Sequence, residues 1–450
     1  MLPQLRHPGS LVLCGLPAPF HNSVDADYVI VHSEYTVRWS ASGTGSLTVS
    51  MNLKNLDRRL VTILLIVFVQ MVGASLIIPI VPLFAKNEFG MSPTMITLLI
   101  SSFYAAQFVG GPILGRWSDK VGRVPVLVVS QIGTVLSFIM FGMAGAVWVL
   151  FASRILDGLT GGNIVVAQAY VTDITPREKR AQALGLIFAA FGVAFFVGPA
   201  IGGLLVGLGP RVPYFIAAGA ASIVVLLTIF TLDESMTADE REAQRDRAER
   251  VSVFAVLRIR PLALALIVVF VAQAGLGVVM ATFALFGEAV LFDSNPELGV
   301  GLLLGIVGLA QVLTQTSLLG PAIDRFGELR VMAAATVIRT AGLGFFAAAT
   351  MVWLAGIGSA VFAIGSGLLL PTLQSIATKS VDDSMRGGVL GVYQSTTSLA
   401  VIISTAVSGV LFAINPHMPY IVAFGLSAVS LVPAVLLVRY YRREEQLATA

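Results

Sequence analysis

The sequence predicts an all-α polytopic membrane protein, built as two six-helix bundles related by a pseudo-two-fold axis along the membrane normal. Three observations carry that prediction. Of 450 residues, 56% are hydrophobic and only 12% charged, about half the charge share of an ordinary soluble domain. The apolar residues gather into about twelve runs of some 20 residues or more, each able to cross roughly 30 Å of hydrocarbon as a helix. Short motifs also recur at an interval of 205 or 206 residues, the mark of a tandem duplication.

Taken in order, residues 1–50 stand apart, mixed in polarity, with Pro17, Pro19 and a Ser/Thr-rich stretch. They lack a basic lead ahead of an apolar core, so they do not read as a secretory signal. They are expected to be a disordered extension or the product of a mis-called start. Lys54, Arg58 and Arg59 then precede the first apolar run, as at the cytoplasmic start of a membrane protein. Spans are expected near 60–84, 95–115, 124–143, 147–170, 182–207 and 212–231 in an N-terminal bundle of residues 51–231. A second bundle of residues 260–443 holds spans near 262–286, 299–320, 330–350, 353–377, 387–411 and 418–438, before a tail of 444–450. Between the bundles, 232–259 is dense in both charge signs and reads as a solvated cytoplasmic linker.

Orientation follows from Lys and Arg. Arg116, Lys120 and Arg123, then Arg177, Lys179 and Arg180, then Arg325 and Arg330, then Lys379 and Arg386 lie in loops that alternate with loops nearly free of them. Both termini are therefore expected in the cytoplasm of a multi-pass protein of the cell membrane. The net charge of +3 is spread over these short clusters. They suit anchorage beside a lipid bilayer and exclude nucleic acid as a partner. The single cysteine, Cys14, rules out an intramolecular disulfide and a cysteine metal cluster.

The repeat fixes the halves. Gly115, Asp119 and Gly122 return as Gly320, Asp324 and Gly327, and Arg180 and Gly185 as Arg386 and Gly391. Two parallel halves around a midplane cavity are the architecture of secondary transporters that alternate access. The stretch Gly115-Arg-Trp-Ser-Asp119-Lys-Val-Gly122-Arg123 resembles the loop 2–3 motif of the major facilitator superfamily, with a degenerate copy from Gly320 to Gly327. The resemblance extends from about Leu56 to Arg443. Gly73 with Pro79 and Pro82, Arg154 to Gly158, and Gly198-Pro199-Ala-Ile-Gly202-Gly203 narrow it to the twelve-span drug:proton antiporters. The run from Arg154 through Ala169-Tyr-Val-Thr-Asp-Ile-Thr to Lys179-Arg180 looks like the tetracycline-efflux branch. Where that branch carries an acid in span 1, a histidine in span 8 and an acid in span 9, this chain has Gln70, Gln311 and Arg339. The resemblance implies proton-coupled efflux of amphiphilic small molecules, with small-molecule substrate and protons as partners, a monomer, and no cofactor or metal. A proton-coupled uptake symporter for a metabolite, or a non-transporting sensor of the same fold, is the alternative.

Candidate residues follow. Asp119 is expected to accept hydrogen bonds from the first turn of span 11 near Gly387 and Gly388, held by Arg123, as a latch formed when the inner side closes; Asp324 marks the second copy. Gly198, Gly202 and Gly203, with Pro199 interrupting the helix ladder, should let span 8 approach closely. Gln70, Gln107, Asn163, Gln273, Gln311, Gln315, Arg339, Gln374 and Tyr393 are the polar side chains expected at a central cavity. Arg154 and Asp157, three residues apart in span 4, can meet as an ion pair on one helix face. Charges inside hydrocarbon are costly, so this pair is read as the proton site, Asp157 binding the proton and Arg154 stabilising its charged form. No Gly-Lys-Ser/Thr phosphate loop and no His-Glu-x-x-His occurs, which argues against an ATP-driven pump and a zinc hydrolase.

Overall fold

The computed structural model describes residues 28–32, 35–40, 46–51, 58–161, 163–176, 180–235, 258–381 and 386–449. Ahead of the first span, β1 (Tyr28–His32), β2 (Tyr35–Ser40) and β3 (Ser46–Met51) form an antiparallel meander, Tyr28 pairing with Trp39 and Val37 with Val49. These strands depart from the disorder expected of residues 1–50. Tyr28-Val-Ile-Val and Tyr35-Thr-Val-Arg-Trp are β-branched and aromatic runs, whose strand preference the apolar-run reading passed over. The rest of that extension, and residues 236–257 of the expected linker, lie outside the described residues.

Twelve helices among the described residues are long and apolar enough to cross a bilayer. Spans 1–6 are Arg58–Phe89, Pro93–Val121, Arg123–Gly142, Val147–Ile174, Ala183–Leu208 and Val212–Thr231. Spans 7–12 are Arg260–Leu291, Pro296–Phe326, Glu328–Ala348, Val352–Lys379, Gly388–Ile414 and Met418–Arg443. Helical hydrogen bonding satisfies the backbone inside each segment, the only arrangement besides a closed barrel that hydrocarbon tolerates.

The duplication is visible in the packing. In the first bundle Tyr214 packs on Phe141 with ring centroids 4.6 Å apart. Its counterpart in the second, Tyr420, packs on Phe346 at 5.8 Å. The motif glycines repeat as well. Span 2 does not end in a loop: its helix runs to Val121, Gly122 turns the chain at φ 118°, ψ 160°, and span 3 begins at Arg123. Gly327 does the same at φ 79°, ψ 154° between spans 8 and 9. Only glycine enters that region without a large steric cost.

Breaks place the polar groups. Span 1 stops at Leu76 and resumes at Ile80, next to Pro79 and to Pro82, which has no N–H for the ladder. Span 4 divides into Val147–Thr160 and Asn163–Ile174. Its freed carbonyls are taken up by neighbours: Ser130 Oγ donates to the Thr160 carbonyl, and Gln107 Nε2 to that of Gly161 at 3.2 Å. Span 8 carries a π-helical turn at Thr314–Leu318.

The two bundles close on each other at one end. There a Cβ on Gly203 would lie 2.6 Å from Leu298 Cα, and one on Gly409 2.8 Å from Thr94 Cα. Ser101 Oγ donates to the Ile402 carbonyl at 3.0 Å, and Lys86 Nζ to Glu288 Oε2 at 2.8 Å. At the opposite, Lys/Arg-rich end, Gly185, Gly320 and Gly391 have open space within 4 Å of their Cβ positions. The structure is thus shut at the acidic end, while at the basic end these three glycines meet no neighbour among the described residues.

Candidate functional site

A cavity of about 300 Å³ lies within the first bundle, walled by Gln70, Ile77, Phe103, Tyr104, Gln107, Phe138, Arg154, Asp157, Phe191 and Phe195 among others. The break in span 1 contributes Ile77 and Ile78, and the turns flanking the break in span 4 contribute Asp157 and Gly161. Met280 alone among the lining residues belongs to the second bundle. The walls are aromatic and aliphatic, with amides at Gln70 and Gln107 and one pair of charges.

That pair is Arg154 and Asp157, as their spacing predicts. Arg154 Nη2 stands 3.3 Å from Asp157 Oδ2, with side chains 7% and 9% exposed. The guanidinium also sits over the Phe141 ring at 5.0 Å and Phe103 at 5.8 Å, both favourable for a cation. The pair is not saturated. Arg154 Nε and Nη2 have no hydrogen-bond acceptor among the described residues. A buried donor without an acceptor costs free energy; Nη2 is taken up by the ion pair with Asp157, and Nε is the donor left without a partner.

Several expected cavity residues stand elsewhere. Arg339 is 1% exposed, inside the second bundle. Its Nε donates to Ser366 Oγ at 2.8 Å, its Nη2 donates to the Ala272 carbonyl, and it stacks over Phe362 at 4.6 Å. Tyr393 is buried, its hydroxyl donating to the Leu370 carbonyl at 3.3 Å. Gln273, Gln311 and Gln315 are half-buried and Gln374 is exposed, and none of the four lines the cavity. Spans apolar on every side carry no stripe to show which face looks inward, so the polar residues of spans 7 to 11 could not be sorted. The side chain of Asn163 lies outside the described residues.

The antiporter motif divides its contacts. Gly203 faces span 8, as expected. Gly198 and Gly202 instead meet span 1: a Cβ on Gly198 would lie 3.1 Å from Leu76 N, and one on Gly202 2.9 Å from Leu76 C. Pro199 sits inside a continuous helix, its carbonyl against Gly301.

The motif at the span 2–3 turn forms a charged cluster. Arg123, 6% exposed, donates from Nη1 to Asp119 Oδ1 at 2.5 Å and from Nε to Asp173 Oδ2 at 2.9 Å. The backbone N–H groups of Arg123 and Val124 donate to Glu234 at 2.8 and 3.2 Å. A carboxylate at a helix N-terminus meets both exposed donors and the positive end of the dipole. Sequence reading missed Asp173 and Glu234. Asp173 lay within the motif run of span 4, and its signal was a second acid close to a basic turn. The expected contact of Asp119 with Gly387 and Gly388 is not among those of the described residues, and Asp119 is 53% exposed. Asp324 is exposed, and no ion pair involving it occurs among the described residues. No group of three or more His, Cys, Asp or Glu suited to a metal occurs among them either.

The sequence profile of the Major Facilitator Superfamily matches residues 63–299 and 291–449. Multidrug resistance protein 2 of Bacillus subtilis (strain 168) is 31% identical over 362 residues, covering 79% of this chain and 89% of that protein. Tetracycline resistance protein, class E, of Escherichia coli is 30% identical over 386 residues, covering 84% and 94%. Among solved structures, the nucleoside transporter NupG superposes with a TM-score of 0.68 at 14% identity, covering 86% and 99%. A bacterial homologue of the human lysosomal transporter Spinster, inward-facing and occupied, gives 0.68 at 16% identity, covering 84% and 96%.

Proposed function

This chain belongs to the major facilitator superfamily and is a multi-pass membrane transporter of small molecules, and on that premise we propose that it exports amphiphilic compounds in exchange for protons. The observation that carries the reading is the unsaturated Arg154–Asp157 pair on the wall of an otherwise apolar cavity. Aromatic walls hold an apolar body without demanding one shape, while two amides and one ion pair orient its polar end. The likeness to multidrug and tetracycline resistance proteins supports efflux. Gln70, Gln311 and Arg339, where the tetracycline branch has titratable groups, argue for a broader substrate range than tetracycline.

In the proposed cycle the protein works as a monomer with both termini in the cytoplasm. The basic end is then the cytoplasmic one, and the acidic, shut end the outer one. Substrate enters and packs beside ionised Asp157. The bundles rock, the basic end closes with Asp119 reaching span 11, and the seam of spans 5 and 8 opens. A proton from outside neutralises Asp157, the ion pair is lost, and substrate leaves. The protonated site returns and discharges inward. Substrate and proton compete for one carboxylate, so each lowers the affinity for the other by the same factor. Two tight domains of six helices, about 51–231 and 260–443, supply the rocking units.

The test uses everted vesicles with an imposed pH gradient and a panel of lipophilic cations, macrolides, quinolones and tetracyclines. Accumulation of a panel compound with simultaneous proton release is expected. Uptake driven in the same direction as the proton would replace export with symport.

A further inference from the structure

Away from the central cavity, the ends of spans 8, 9, 10 and 12 enclose a second one of about 490 Å³ at the basic end. Its walls include Arg330 at the start of span 9, Lys379 at the end of span 10, and Arg442 at the end of span 12, against Glu328 as its one carboxylate. Glu328 is already engaged, accepting from Lys379 Nζ at 2.7 Å and from Ser375 Oγ at 2.9 Å. Arg330 and Arg442 make no ion pair among the described residues. Two guanidinium groups from different helices therefore converge with their charge uncompensated. Tyr441 fixes the wall between them, its hydroxyl within 2.8 Å of Ser380 Oγ.

The same cavity also has apolar walls. Ile376, Val438 and Phe326 line it, Phe326 being 52% exposed. A soluble anion gains nothing from those groups, whereas a molecule with a phosphate and acyl chains uses both. Four membrane-length helices end here, at the depth where acyl chains meet headgroups, and basic pockets between helix ends recognise anionic headgroups through their charge. Guanidinium forks match phosphate oxygens two at a time.

We propose that this pocket binds the phosphate headgroup of an anionic phospholipid between Arg330 and Arg442, with the acyl chains running past Phe326 and Val438. The headgroup ties the start of span 9, directly after the Gly327 turn, to the end of span 12. The site is separate from the transport cavity and needs no assumption about substrate or proton.

The purified chain is placed in neutral detergent micelles doped with phosphatidylglycerol or with phosphatidylcholine, and thermal unfolding and native mass spectrometry are recorded. Phosphatidylglycerol, and not phosphatidylcholine, should raise the unfolding temperature and remain bound. Arg330→Gln with Arg442→Gln should weaken phosphatidylglycerol binding roughly tenfold or more, each lost cation contributing comparably. If that variant folds poorly, Arg330→Lys with Arg442→Lys keeps the charges but not the forks, and should still prefer phosphatidylglycerol to phosphatidylcholine while binding it more weakly than the parent. Equal binding of the two lipids by the parent, undiminished binding by the Gln variant, or no preference between the two lipids in the Lys variant overturns the proposal. Stabilisation by inorganic phosphate equal to that by phosphatidylglycerol overturns the lipid assignment in favour of a soluble anion.

Discussion

Adding one methyl group at Gly203 tests the seam between the bundles. A Cβ there would lie 2.6 Å from Leu298 Cα and 2.7 Å from the Glu297 carbonyl oxygen. Non-bonded carbons rest about 3.5–4.0 Å apart, so Gly203→Ala asks spans 5 and 8 to separate by about 1 Å. Both near atoms are backbone and cannot swing aside, and overpacking of this kind costs about 1–3 kcal/mol. The cost falls on the state described here, in which the acidic end is shut and the two spans touch at this point. A bias of that size changes the ratio of two access states by about 5- to 150-fold. The adjacent Gly207 has open space around its Cβ position, so Gly207→Ala is the control. Spin labels at Asn87→Cys and Asp293→Cys, both exposed near the closed ends of spans 1 and 7, in a Cys14→Ser background, report the distance across the gate. Gly203→Ala should populate a wider distance that Gly207→Ala does not. An unchanged distribution, with efflux at the parental rate, would refute the seam.

Three further outcomes follow from the geometry. Gly122→Ala forces a side chain into a backbone region reserved for glycine, a cost of about 1–3 kcal/mol, and should lower the unfolding temperature in detergent; an equal melt would contradict the turn. Arg339→Lys replaces a fork that reaches Ser366, Ala272 and the face of Phe362 by a single ammonium, and should cost about 1–3 kcal/mol in thermal unfolding through lost hydrogen bonding at a buried site; parental stability would mean the fork is not needed. Lys86→Glu breaks the ion pair across the closed end, worth about 0–1 kcal/mol because it is partly exposed, and should widen that end modestly, with Lys86→Glu/Glu288→Lys restoring it. Failure of the swap to restore closure would remove the pair from the gate.

Much of the fold is legible in the sequence because the bilayer imposes length and apolarity on each span, and charge on the turns. The first-bundle spans, the even alternation of basic turns and the duplicated Gly122/Gly327 corners can all be read from the chain. Inward-facing identity is another matter. Gln107 reaches the cavity against the break at Gly161, whose carbonyl it holds, and Gln70 reaches it from the unbroken first part of span 1, whereas Arg339 and Tyr393 sit on equally apolar helices and turn into their own bundle. Long-range partners leave little trace: Glu234 caps span 3 from 110 or more residues away, and Ser75 reaches the Ala194 carbonyl of span 5 at 2.8 Å. Arg154 and Asp157 were legible for the opposite reason, since their partner lies one helical turn away. The β1–β3 meander was hidden by treating every segment without a long apolar run as unstructured.

The central claim is that substrate and proton share Asp157, and proton release on substrate binding tests it most directly. Purified protein in weakly buffered detergent solution, titrated with a panel compound that the vesicle assay identifies, should release protons as the compound binds. Asp157→Asn, which keeps the size of the side chain but carries no charge, like the protonated carboxyl, should bind the compound more weakly, release no protons as it binds, and lose pH-driven transport in vesicles. Proton release and pH-driven transport at the parental level in Asp157→Asn would contradict the account.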